Sequence, residues 1–81
     1  MQYLQEYPDE QPFPLRAYGR TELAALYRPD LTPKSAWRAL RDELQHTPAL
    51  LAALAETDYD PRRRHFTPRQ VQLIVTTLGL P

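Results

Sequence analysis

The stretch Thr32-Pro33-Lys34-Ser35-Ala36-Trp37-Arg38-Ala39-Leu40-Arg41-Asp42-Glu43-Leu44-Gln45-His46 holds a helix start, an apolar face and a cationic stripe together. Thr32 is placed to cap, and Pro33 suits a first helical position because its φ is pre-set and it has no N–H to leave orphaned. The helix is expected to run to about His46. Trp37, Leu40 and Leu44 fall on one face. At roughly 100° per residue, Lys34, Arg38, Arg41 and Gln45 share a second stripe, roughly 100° away from that face. Asp42 and Glu43 point elsewhere. An amphipathic helix of this kind docks by its apolar face and projects donors outward.

Upstream, Thr21-Glu22-Leu23-Ala24-Ala25-Leu26-Tyr27 predicts a short helix with Thr21 as its cap and Glu22 matching the dipole in the first turn. Leu23, Leu26 and Tyr27 share its face, and Pro29 disfavours helical geometry at Arg28. Downstream, Thr47-Pro48 repeats the Thr-Pro start and opens a third short helix carrying Leu50, Leu51 and Leu54, which frays near Thr57. Thr67-Pro68 opens a fourth, in which Val71, Ile74, Val75 and Leu78 recur at helical spacing. Gly79 stands where a left-handed residue after the helix belongs, with Leu80 returning to Val75 as in a Schellman ending.

The two remaining regions carry turns and extended chain. Residues 1–14, with Pro8, Pro12 and Pro14, read as a Pro-rich arm unsuited to helix. Tyr3, Leu4, Tyr7 and Phe13 give that arm apolar anchors. Asp60-Pro61 marks a turn before Arg62-Arg63-Arg64. Arg64-His65-Phe66 is suited to pair as a short strand with residues 15–18. The expected fold is mainly α: a compact bundle of four short helices in a single domain over 15–81, with a helix-turn-helix-like pair and a small two-stranded β element.

Composition narrows the function. The chain has 81 residues, no cysteine, nine prolines, two glycines and a formal net charge of zero. Without cysteine there is no disulfide framework, no zinc finger and no thiol nucleophile. The first residues lack the basic and apolar run of a signal peptide, and no stretch approaches the length of a membrane helix, so a soluble, cytoplasmic protein is expected. The neutral total conceals a division. Glu6, Asp9 and Glu10 are the charges of the first fifteen residues, which leaves all ten basic residues and seven acidic ones in the remainder. Nine of the ten basic residues are Arg, the side chain best suited to planar contact with phosphate.

The pattern of an enzyme is missing. His46 and His65 have no partner at metal-ligand spacing, and they read as a helix-end residue and a loop or strand residue. Asp58 and Asp60 read as solvated turn chemistry rather than a cation site. There is no Gly-rich phosphate loop and no nucleophile elbow. A non-enzymatic protein without cofactor or metal is expected.

The pair formed by residues 21–27 and 32–40 resembles a helix-turn-helix, although the turn lacks Gly, contains Pro29 and is about one residue too long for the motif. The order of this pair, a basic turn and a packing helix also resembles the mercury-resistance-type regulators. More specifically, Arg16-Ala17-Tyr18-Gly19-Arg20-Thr21-Glu22-Leu23-Ala24, Thr32-Pro33-Lys34-Ser35-Ala36, Pro48-Ala49-Leu50, and Phe66-Thr67-Pro68-Arg69-Gln70-Val71-Gln72-Leu73-Ile74-Val75 with Leu78-Gly79-Leu80-Pro81 resemble the bacterial family catalogued as domain of unknown function 4248. The chain departs from that pattern at Asp58, where Gly is common, and at Glu43, where Trp is common. The resemblance implies one compact domain and brings no established activity.

Two functional expectations follow. In the first, the protein binds double-stranded DNA in helix-turn-helix fashion, with Lys34, Ser35, Arg38 and Arg41 facing the groove and Arg62, Arg63 and Arg64 on phosphate. The acidic arm would then lie on the basic face and weaken binding. In the second, it is a protein-interaction or small assembly module, using residues 1–14 and an exposed apolar face. The pI near 6.7 favours the second.

Overall fold

The computed structural model describes residues 13–81. Most of the expected arm, residues 1–12, lies outside the described residues. In chain order the elements are β1 (Tyr18–Gly19), α1 (Arg20–Tyr27), α2 (Pro33–Gln45), α3 (Pro48–Ala55), β2 (His65–Phe66) and α4 (Pro68–Leu78). Among the described residues, four helices and one small antiparallel sheet thus make up the fold, as the patterning predicts.

Two of the three Thr-Pro starts cap as expected. Thr32 Oγ1 accepts the Ser35 N–H at 3.3 Å. Thr67 Oγ1 accepts the Gln70 N–H at 3.2 Å, and Gln70 Oε1 accepts the Thr67 N–H at 3.0 Å, which closes a capping box. Thr47 behaves differently. Its hydroxyl turns back and donates to the Glu43 carbonyl at 2.9 Å, so it secures the end of α2 instead of the start of α3. The start of α1 is also displaced from Thr21. The helix begins at Arg20 with Gly19 at the cap position, and Glu22 Oε1 accepts the Gly19 N–H at 3.0 Å. Glu22 reaches this bond because the strand pairing of β1 sets the helix start two residues earlier.

The sheet joins distant parts of the chain. Tyr18 pairs with Phe66 and Gly19 with His65, so residues 64–66 do supply a partner strand, but it meets Tyr18–Gly19 at the end of the expected 15–18 segment and one residue beyond it. Phe13 stacks on Tyr18 with ring centroids 5.0 Å apart, and the Tyr18 hydroxyl donates to the Pro14 carbonyl at 2.8 Å. The domain therefore engages residues 13 and 14.

The core is filled from every helix: Leu23 and Ala24 of α1, Ala36, Trp37, Leu40 and Leu44 of α2, Leu50 and Leu54 of α3, and Val71 and Ile74 of α4. Phe66 of β2 is its aromatic centre. It meets Trp37 edge-on at 6.1 Å and stacks with Tyr59 at 5.9 Å, geometries that suit the ring quadrupoles. Gln70 is the buried polar residue, 4% exposed. Its amide donates to the carbonyl and the hydroxyl of Thr57 at 3.1 and 3.0 Å, so the end of α3 and the start of α4 share one satisfied polar node.

Two side chains and one helix end differ from expectation. Leu26 and Leu51 stay exposed. Gly79 has φ 92° and ψ 170°, so the chain leaves α4 extended instead of folding back, and Leu80 is 61% exposed. The Gly79 carbonyl instead accepts the Tyr27 hydroxyl and so ties the end of α4 to the end of α1. Among the described residues, no helix is long and apolar enough to cross a membrane.

Candidate nucleic-acid interface

The buried face of α2 fixes what its other faces present. With Trp37, Leu40 and Leu44 in the core, Lys34, Arg38 and Arg41 are exposed. All three line one open cleft of about 450 Å³, together with Arg20 and Trp37. Arg20 belongs to this group although nothing in the helix pattern singles it out. Its one local signal is a cation in the first turn of α1, where the helix dipole disfavours positive charge.

Arg20 is held on three sides. Its guanidinium lies over the Trp37 ring, 5.0 Å from the centroid. Nη1 donates to the Pro61 carbonyl at 2.9 Å. Its backbone N–H donates to the Arg64 carbonyl at 2.8 Å. Arg20 thereby joins the stripe on α2 to the basic turn before β2.

That turn is built as its sequence predicts. The Arg63 N–H donates to the Asp60 carbonyl at 2.9 Å, and Asp60 Oδ1 accepts the Arg62 N–H at 2.9 Å. Arg62 also closes both guanidinium donors on the Asp60 carboxylate, at 3.2 and 3.1 Å. This pair holds the Asp60 carboxyl below its usual range. Arg63 and Arg64 remain exposed.

The distribution of ion pairs separates the cations. Arg16 pairs with Glu22 at 2.8 Å, Arg28 with Asp30 at 3.1 Å, and Arg62 with Asp60 at 3.1 Å. Among the described residues, Arg20, Lys34, Arg38, Arg41, Arg63 and Arg64 have no carboxylate partner. Of the seven residues singled out from the sequence, the structure thus gathers Lys34, Arg38 and Arg41 and places Arg63 and Arg64 on the adjoining turn. Arg62 is engaged by Asp60. Ser35 is half-buried, lies off the stripe and uses its N–H for the Thr32 cap.

The two histidines and the two turn aspartates weighed for catalysis or metal binding are dispersed. His46 lies in a separate cleft with Asp42, Glu43 and Thr47. His46 Nδ1 is 2.8 Å from the Asp42 carbonyl, at the end of α2 as a helix-end residue should be. His65 is exposed in β2. Asp58 has φ 63° and Asp60 is committed to Arg62. No group of three His, Cys, Asp or Glu suited to a metal ion occurs among the described residues.

The connection between α1 and α2 is closed by the Leu31 N–H donating to the Arg28 carbonyl at 3.1 Å, with Asp30 paired to Arg28 alongside. Leu31 is half-buried against the core. Leu31 thus anchors a turn that contains Pro29 and no Gly.

No curated protein and no solved structure matches the chain. One family model does, over residues 14–81, described as a domain of unknown function. The matched span begins at Pro14, whose carbonyl accepts the Tyr18 hydroxyl, and covers every helix and strand described. The chain belongs to the domain of unknown function 4248 family.

Proposed function

We propose that this protein is a non-enzymatic, double-stranded DNA-binding module of helix-turn-helix type. The observation that carries the reading is the gathering of Arg20, Lys34, Arg38 and Arg41 around one open cleft with no carboxylate partner among the described residues. An exposed helix stripe of such donors suits the major groove. Arg63 and Arg64 sit on the neighbouring turn, where they suit the phosphate backbone. The test is duplex affinity of the full chain over a range of salt. Counterion release makes log K fall linearly with log salt, with a slope of about −0.9 for each phosphate neutralised. Absence of binding at low salt overturns the reading.

A second reading, a protein-interaction module, is favoured by one feature: Leu44, Leu51, Ala55 and Tyr59 line an apolar groove of about 280 Å³ on the far side of Arg41. Retention of a protein partner by the chain, lost on Leu51→Asp, with no duplex binding at low salt, is the outcome that would select it.

A further inference from the structure

The cations of the interface differ in how they are held and where they stand. Arg20 is pinned by Trp37 and the Pro61 carbonyl at the edge of the cleft. Arg63 and Arg64 lie on the turn beyond it, where they suit the phosphates beside a helix seated in a groove. Lys34 stands at the first turn of α2, on the same stripe as Arg38 and Arg41. Arg38 and Arg41 occupy the centre of the exposed stripe. They are three residues apart, a rise of about 4.5 Å. That spacing lies between one base-pair step and two, at roughly 3.4 Å each. Neither residue has a carboxylate partner among the described residues, so both forks are available.

Side-chain chemistry then limits what the centre of the stripe reads. A guanidinium fork fits the O6 and N7 acceptors of guanine in the major groove, whereas adenine is matched by Asn or Gln and cytosine by an acid. The middle of this stripe carries two Arg and no Asn, Asp or Glu; its one amide, Gln45, lies at the far end of α2. We infer that Arg38 and Arg41 select duplexes carrying guanine at adjacent or nearly adjacent base pairs. The inference rests on the duplex-binding reading above and adds the class of sequence that the site prefers.

Three duplexes of equal length and charge test it with the full chain: an alternating G·C duplex, the same duplex with 7-deazaguanine in place of guanine, and an alternating A·T duplex. The 7-deaza base keeps pairing and phosphates but lacks the N7 acceptor. The expected result is tighter binding to G·C than to A·T by roughly five- to 150-fold, the range for one bidentate contact. Most of that margin should be lost with 7-deazaguanine, and the salt slope should be alike for all three. Equal affinities with a steep salt slope would overturn the guanine inference and leave duplex binding standing. A G·C preference that survives 7-deazaguanine would also overturn it. No binding to any duplex at low salt would overturn both.

Discussion

The guanidinium of Arg20 lies over the Trp37 ring, 5.0 Å from its centroid, while the same side chain donates to the Pro61 carbonyl. One residue at the first position of α1 thus links the face of α2 to the basic turn. Arg20→Ala is expected to cost about 1 kcal/mol of stability, the scale of a partly exposed cation–π contact. It should also lower the salt slope of duplex binding by about one. Thermal melting and salt-dependent titration read the two effects separately. Arg20→Lys keeps the charge, so its slope should stay close to that of the native chain.

The basic turn gives a contrast between neighbours. Arg62 is closed on Asp60, whereas Arg63 has no such partner among the described residues. Arg63→Ala should weaken duplex binding uniformly across sequences and reduce the salt slope by about one. Removing the whole pair, in Arg62→Ala with Asp60→Asn, should change affinity less, because it takes away no unpaired cation and leaves no bare carboxylate on the turn. A loss as large as that of Arg63→Ala would mean that the ion pair opens on binding.

Much of the fold is legible along the chain because the signals are local. Thr32 and Thr67 cap the helices whose Pro follows them, and the apolar faces of α2 and α4 are those that the core takes up. Thr47 carries the same Thr-Pro signal with another outcome, since the nearby end of α2 offers its hydroxyl the Glu43 carbonyl. The second role of Gln70 depends on Thr57, thirteen positions away, and no local pattern reports that distance. The site divides in the same way. Lys34, Arg38 and Arg41 share a stripe by helix periodicity alone. Arg20 joins them only through the pairing of Tyr18 with Phe66, a long-range contact that sets where α1 begins.

Gln70 is expected to be sensitive to change. Gln70→Leu keeps an apolar-compatible volume but removes the partner of the Thr57 carbonyl and hydroxyl and one half of the Thr67 box. A loss of about 1–3 kcal/mol is expected from the polar groups left unpaired. Chemical denaturation measures it.

Asp58 has φ 63°, a left-handed conformation that favours glycine. Asp58→Gly should therefore raise stability, by up to about 1 kcal/mol, and Asp58→Val should lower it.

Acid should destabilise the fold through three carboxylates. Arg16 and the Gly19 N–H hold Glu22 below its usual range, Arg28 does so for Asp30, and Arg62 for Asp60. A carboxyl with a depressed folded pKa contributes stability above its unfolded value and loses it as pH falls through the folded value. Melting temperature should therefore be level near neutrality and decline below about pH 4, where unfolded carboxyls take up protons. Glu22 and Asp30 are exposed and Asp60 is half-buried, so high salt should flatten the decline, least for Asp60.

The central claim is that the exposed stripe of α2 grips duplex DNA, and the double variant Arg38→Ala, Arg41→Ala tests it most directly. Both side chains are exposed and neither contributes to the core, so helicity and melting should stay near those of the native chain. Duplex affinity at low salt should fall at least tenfold, with a shallower salt dependence. A double variant that folds normally and binds duplex DNA as tightly as the native chain, with an unchanged salt slope, would contradict the claim.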